Sequence, residues 1–263
     1  MQFRVIITIL VLLIIVPQIF FYDSAPHESP EFGLTFSIEK ADRLGLDWKP
    51  VFLEMLEDLK PKRVRIITES LWADNSSENL MNKYFPYDEI LIELEKQKTP
   101  AVLVFKDPCF ISQDLYSHFK KYEIVKFWEI EGCQNLTNVD FQRADYIGIN
   151  FSTIKYSQYF GYYKNPFEIA NKKIFMGKQR FWKKSDKFVA EIAGSPFDHI
   201  LGQLKDEQLQ IMNSRILLQN IEGARELELG QNYIEGVEWW YYLKQKQNDW
   251  GLWHTVRQKL RSG

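Results

Sequence analysis

The chain has 263 residues, 45% of them hydrophobic and 15% aromatic, a composition that suits one large globular domain and excludes a disordered or fibrous protein. Its 33 basic residues nearly balance 35 acidic ones, for a formal charge of -2, so the electrostatic footprint of a nucleic-acid binder is missing. His27, His118, His199 and His254 are scattered, and there is neither an H-x-x-x-H nor a C-x-x-C spacing, so no metal and no other cofactor is expected.

After MQFR comes VIITILVLLIIVPQIFFY, an uncharged apolar run of 18 residues from Val5 to Tyr22. It is at the short end for a bilayer core of about 30 Å and longer than most signal-peptide cores, at about 7 to 15 residues. The following DSAPHESP lacks an A-x-A-like cleavage pattern, which favours an uncleaved, single-pass anchor over a removed signal peptide. Arg4 ahead of the run places the N-terminus inside and the body outside the cytoplasm; cleavage would make the protein secreted. Residues 1–31 are therefore read as anchor and polar tether, and residues 32–263 as a single domain.

Beyond the tether, FGLTF (32–36), RVRIIT (63–68), AVLVF (101–105), KFWEIEG (126–132), YIGINF (146–151), KFVAEIAG (187–194) and YIEGVEWWYY (233–242) read as strands. Between them DWKPVFLEMLEDL, YDEILIELEKQ and the long DEQLQIMNSRILLQNIEGAREL carry apolar residues at helical spacing. Such alternation predicts an α/β protein with a parallel sheet and crossover helices, either a (β/α) barrel or a doubly wound sheet. The doubly wound form would normally open on a G-x-G-x-x-G loop, which FGLTFSIEKADRLG does not contain. A barrel builds its active face at the C-terminal ends of its strands. Thr68, Glu69, Lys106, Asp107, Glu131, Cys133, Asn150, Glu191 and the Glu238-Trp239-Trp240 cluster all lie at or just after predicted strand ends. In FWEIEGCQN (127–135), strand alternation puts Glu129, Glu131 and Cys133 on one face and Trp128 and Ile130 on the other. That face lines a polar site, or what remains of one.

Two segments carry a family resemblance. GLTFSIEKADRLGLDWKPVFLEMLEDLKPKRVRI and QLQIMNSRILLQNIEGARELELGQNYIEGVEWWYYLK resemble the two ends of bacterial retaining glycoside hydrolases built on (β/α)8 barrels, of cellulase-like and β-galactosidase-like type. The resemblance implies a TIM-type barrel in which Arg65 on the second strand supports the nucleophile and tryptophans beside the eighth strand flank the sugar. FVAEIAGSPF is similar to the family's seventh strand and puts Glu191 at the nucleophile position, with Ser195 where closer relatives carry a second glutamate. Retaining chemistry also needs an acid/base carboxyl about 5 to 5.5 Å from the nucleophile. Against the family's W-Q-V-E-N-E-P run, WEIEGCQ sets Gly132 at the asparagine and Cys133 at the acid/base. Glu131 could replace it only from two residues deeper, roughly 6.5 Å along the strand.

The resemblance thus implies a carbohydrate-binding barrel that has lost hydrolysis, with Arg65, Asn150, Glu238 and Trp239 around the sugar. An active retaining hydrolase with Glu191 attacking and Glu131 or another relocated carboxyl donating is the alternative, and a protein-interaction scaffold is a third. Only 11 residues separate Cys133 from Asp145, too few for a helix, a strand and another helix, so one βα unit is expected to be missing. The barrel is then open, or closes with fewer strands.

Plainer readings stand beside these. Glu191 and Arg65 could be a buried ion pair retained for structure, since burial without a partner is costly. Cys109 and Cys133 end consecutive strands, and could form a disulfide, if their Cα atoms lie within about 7 Å, or remain two free buried thiols. VEWWYY is a sugar platform or core packing, and as a strand it lets at most one of Trp239 and Trp240 face the interior. The basic run KKIFMGKQRFWKKSDK (172–187) could meet anionic lipid or a polyanionic glycan, or form a solvated face. Asn135 begins an N-L-T acceptor pattern.

Overall fold

Each face of the first strand has its own job. In β1 (Glu31–Ser37), Phe32, Leu34 and Phe36 join a hydrophobic core under the helices, while the alternate residues Thr35 and Ser37 are buried on the opposite face. β2 (Val64–Ile67) repeats the pattern, with Val64 and Ile66 in that core and Arg65 and Ile67 buried on the other side. A sheet buried on both faces is the signature of parallel pairing. In the computed structural model, which describes residues 31–68, 80–106, 113–131, 146–152, 154–157, 161–165, 167, 169–171, 186–196, 205–227 and 229–262, every ladder of the main sheet is parallel.

The remaining main-sheet strands are β3 (Ala101–Lys106), β4 (Val125–Glu131), β5 (Tyr146–Phe151), β8 (Asp186–Ile192) and β9 (Gln231–Ile234). Their order in the sheet is β4-β3-β2-β1-β9-β8-β5. The first and last strands are neighbours, and successive strands advance in one direction with no reversal, so the sheet has no switch point of the doubly wound kind. The two edge strands, β4 and β5, also approach within 8 Å between Cα atoms without sharing a ladder. The architecture is a mixed α/β fold on a curled parallel sheet, compatible with a TIM-like barrel.

Helices follow most strands. Ser37 caps α1 (Ile38–Arg43), its Oγ accepting from the Lys40 amide at 3.2 Å, and Asp47 caps α2 (Trp48–Glu54) in the same way from Lys49 at 3.1 Å. α2 runs into a wider π turn at Met55–Leu59, which ends on Lys60 in the left-handed region at φ 50. α3 (Leu80–Gln97) and α4 (Gln113–Lys120) bring Ile90, Leu91, Leu94 and Phe119 into the core that holds Val64, Ile66 and Leu103. α5 (Lys205–Ile211), α6 (Ser214–Arg225), α7 (Val237–Gln247) and α8 (Gly251–Ser262) complete the chain. α8 is held against the π turn by Asp58, which accepts from Trp253 Nε1 at 2.7 Å and from Arg257 Nη1 at 3.0 Å.

Three sequence expectations need correction. YIEGVEWWYY is not one strand: β9 stops at Ile234 and α7 begins at Val237, because Gly236, at φ 118, turns the chain and its carbonyl accepts from the Trp240 amide at 3.0 Å. The segment 206–227 is not one helix. It breaks at Met212–Asn213, where the Asn213 side chain caps α6 by accepting from the amides of Arg215 and Ile216. An antiparallel hairpin, β6 (Ile154–Ser157) with β7 (Gly161–Lys164), was not anticipated. No helix among the described residues is long and apolar enough to cross a membrane, and the run Val5–Tyr22 lies outside them.

Candidate functional site

Side chains from four strand ends converge at the C-terminal end of the sheet. Arg65 is fully buried on the inner face of β2 and donates from Nη1 to Glu191 Oε1 at 3.1 Å. Glu191 stands one residue before the end of β8, opposite in face to Ile192, which pairs with Ile234 and joins the outer core. Its side chain is 19% exposed, so the carboxylate is at the mouth while its partner is beneath it. The bond is charge-assisted, a carboxylate oxygen accepting from a buried guanidinium.

A second layer surrounds this pair. Lys40, in the first turn after β1, puts its ammonium 2.5 Å from Glu235 Oε1, and Ser195 Oγ donates to that same oxygen at 2.7 Å. Burial works against the Lys40 charge, but the carboxylates of Glu235, Glu191 and Glu238 outweigh it and hold its pKa well above the usual lysine range. Glu238, in the first turn of α7, is buried and accepts from the Ser37 amide at 2.6 Å. Burial pushes its carboxyl up to about 7 against the lowering pull of Lys40 and of the Ser37 and Glu238 amides. At the rim, Tyr87 OH donates to Glu39 Oε1 at 2.8 Å, joining α3 to α1.

The backbone that carries these groups is fixed by close approach. Gly194 and Gly236 lie against each other, and a Cβ on Gly194 would sit 2.1 Å from the Glu235 carbonyl. The Glu235 amide donates to the Ile192 carbonyl at 3.0 Å, Trp240 Nε1 to the Gly194 carbonyl at 2.6 Å and Asn220 Nδ2 to the Ala193 carbonyl at 2.8 Å. The exits of β8 and β9 are thereby locked side by side.

The fate of the sequence candidates is mixed. Arg65 and Glu191 come together. Glu238 reaches the same region from a helix rather than a strand. Trp239 does not line the mouth: it is 2% exposed, with Nε1 donating to Gln208 Oε1 at 3.2 Å, and Trp240 is buried too, so both tryptophans belong to the core. The alternation that was to separate them does not apply on a helix. Asn150 pairs in register with Glu191, and Glu131 ends β4 opposite Lys106, which places their backbones but not their side chains. Cys109, Cys133, Asn135 and most of the basic run 172–187 lie outside the described residues. Lys40, Glu235 and Ser37 were missed; for Lys40 and Glu235 the signal was a charged residue within three positions of a strand end, in SIEK and YIEG, and for Ser37 a capping residue at the strand end itself.

Among the described residues no group of three or more His, Cys, Asp or Glu is placed to hold a metal ion. Two surface hollows of about 630 and 520 Å³, one beside Lys60 and Thr99 and the other beside Lys98 and Ile124, open at the N-terminal ends of β2 to β4. Neither is lined by Lys40, Arg65, Glu191, Glu235 or Glu238.

No family model matches the chain, and no curated protein does. Among solved structures, a beta-glucosidase from Exiguobacterium marinum is similar at 12% identity, covering 80% of this chain and 71% of that one. Its TM-score of 0.23 is too low for the pairing to establish a common fold.

Proposed function

We propose that the chain is a shortened (β/α) barrel of glycoside-hydrolase type, lacking one βα unit, that binds carbohydrate at the C-terminal end of its strands and has lost efficient hydrolysis. Residues 5–22 tether it to a membrane with the barrel outside the cytoplasm. The observation that carries the reading is the Arg65–Glu191 pair: a mouth-facing carboxylate on the penultimate strand of the sheet, held by a buried arginine from the second. Such a carboxylate can hydrogen-bond sugar hydroxyls or stabilise positive charge at an anomeric carbon.

Hydrolysis also needs a proton for the leaving oxygen, and acid assistance typically contributes 10²-fold to 10⁴-fold. WEIEGCQ offers a thiol at the position where the family carries its acid. Glu238, whose carboxyl burial pushes up to about 7, is 2% exposed and turned onto the Ser37 amide, so it does not meet a sugar at the mouth.

The test combines a glycan array with an activated aryl glycoside, whose leaving group needs little acid help. Glycan binding that weakens at least about tenfold in Glu191→Gln, with no aryl-glycoside turnover, supports the proposal. Turnover abolished by Glu191→Gln would replace it with an active retaining hydrolase. A silent array and a co-purifying protein partner would replace it with an interaction scaffold.

A further inference from the structure

We propose that Lys40 is the positioning residue of this site, its ammonium the shared counter-charge for carboxylates brought by β8, by the β9–α7 connection and by α7. The role rests on the reading of Glu191 as the centre of the site, but its physical basis does not depend on carbohydrate.

The geometry begins with the backbone. Ser37 caps α1 through the Lys40 amide, so the lysine leaves β1 from a fixed point. Its side chain is only 15% exposed and touches Glu235, itself 9% exposed, while Ser195 anchors the same Glu235 oxygen from the β8 exit. One ammonium from α1 therefore meets the carboxylate that follows β9, the β8 exit grips that same carboxylate through Ser195, and the charges of Glu191 and Glu238 act on the ammonium through space. A lysine there for solubility alone would face water.

Charge balance gives the lysine a second consequence. Lys40 and Arg65 supply two positive charges, and Glu191 and Glu235 two negative ones. Glu238 is the third carboxyl. The groups facing it are Lys40 from α1, the Ser37 amide at the end of β1, its own amide in α7 and Glu235 from the preceding loop. With Glu238 protonated the set is neutral; with Glu238 ionised it carries one excess negative charge. Lys40 is the cation that decides how readily that happens, and hence what potential a ligand meets beside Glu191.

The experiment follows the carboxyl carbons of the full chain, labelled at glutamate Cδ, by NMR across pH, with Glu238→Gln identifying the Glu238 resonance. The wild type is expected to titrate near 7 at Glu238. Lys40→Met raises that midpoint by roughly one unit, and Lys40→Arg returns it. Glu235→Gln lowers it, because a like charge is removed and Lys40 is freed toward Glu238. A midpoint unmoved in a folded Lys40→Met, or raised in Glu235→Gln, overturns the assignment. Should Lys40→Met fail to fold, Lys40→Gln keeps a polar end for Glu235 without the charge and is expected to raise the midpoint in the same way, and an unmoved midpoint there overturns the assignment. Carbohydrate binding is measured on the same samples: its absence in the wild type would overturn the proposed function and leave the titration result standing.

Discussion

Glu238→Gln is the substitution with the most direct thermodynamic signature. The glutamate carboxyl rises from an ordinary 4.5 to about 7 in the folded protein, chiefly through burial. The folded state therefore binds a proton more tightly than the unfolded chain, and stability from this group is fully present below pH 4.5 and lost as pH climbs toward 7. At about 1.4 kcal/mol per pKa unit, the loss amounts to roughly 3 kcal/mol. Glutamine keeps an acceptor for the Ser37 amide and cannot ionise, so its stability lacks this decline. Urea unfolding of both proteins at pH 5 and at pH 7.5 reads the effect as a difference between two differences, in which other titrating groups cancel. The gap between the proteins should shift by about 2 to 3 kcal/mol in favour of the variant at the higher pH. Parallel pH profiles would refute the argument, and would mean that Lys40 and the amides around Glu238 already compensate its burial.

Other substitutions probe the same frame. Arg65→Met leaves Glu191 without its guanidinium and should cost about 2 to 3 kcal/mol, below the range for a fully buried pair because Glu191 is partly wet; adding Glu191→Gln should recover part of that in a thermal melt. Gly194→Ala drives a methyl into the Glu235 carbonyl and the Trp240 ring and should cost more than about 2 kcal/mol, visible as a fall in Tm, whereas Gly230→Ala, with open space around it, should be close to neutral. Asp58 has its pKa held below 3.8: burial would raise it, but the Trp253 and Arg257 hydrogen bonds prevail, so its contribution is present above that pH and disappears as acid protonates it. Asp58→Asn should cost about 1 kcal/mol at neutral pH and lower hydrogen-exchange protection first in α8.

What could be read in advance follows from the range of the interactions involved. FGLTF, AVLVF and YIGINF are short β-rich runs with polar or turn residues around them, and each lies in a strand within a residue or so of the predicted limits. The Arg65–Glu191 pair was legible only through the family resemblance of RVRI and FVAEIAG, since 126 residues separate the two and no local pattern joins them. VEWWYY misled because its aromatics have strand propensity, and only the turn at Gly236, pressed against Gly194, sends them into a helix. Asn213 hid a helix break because a polar residue in an amphipathic stretch looks like any solvent-facing position until its side chain is seen capping. Lys40 and Glu235 are 195 residues apart, and no local pattern joins them.

The placement of β9 beside β1 has a further bearing on how the molecule is made. Glu31 pairs with Gln231 and Leu34 with Ile234, so one flank of the earliest strand has its ladder partner only after some two hundred further residues have been synthesised. Loop closure of that span is entropically slow, and an unsatisfied flank is a template for stray pairing. Assembly of the sheet is consequently a late, non-local event, and a ribosome-bound chain halted before residue 231 would present β1 as a sticky edge for chaperones to cover.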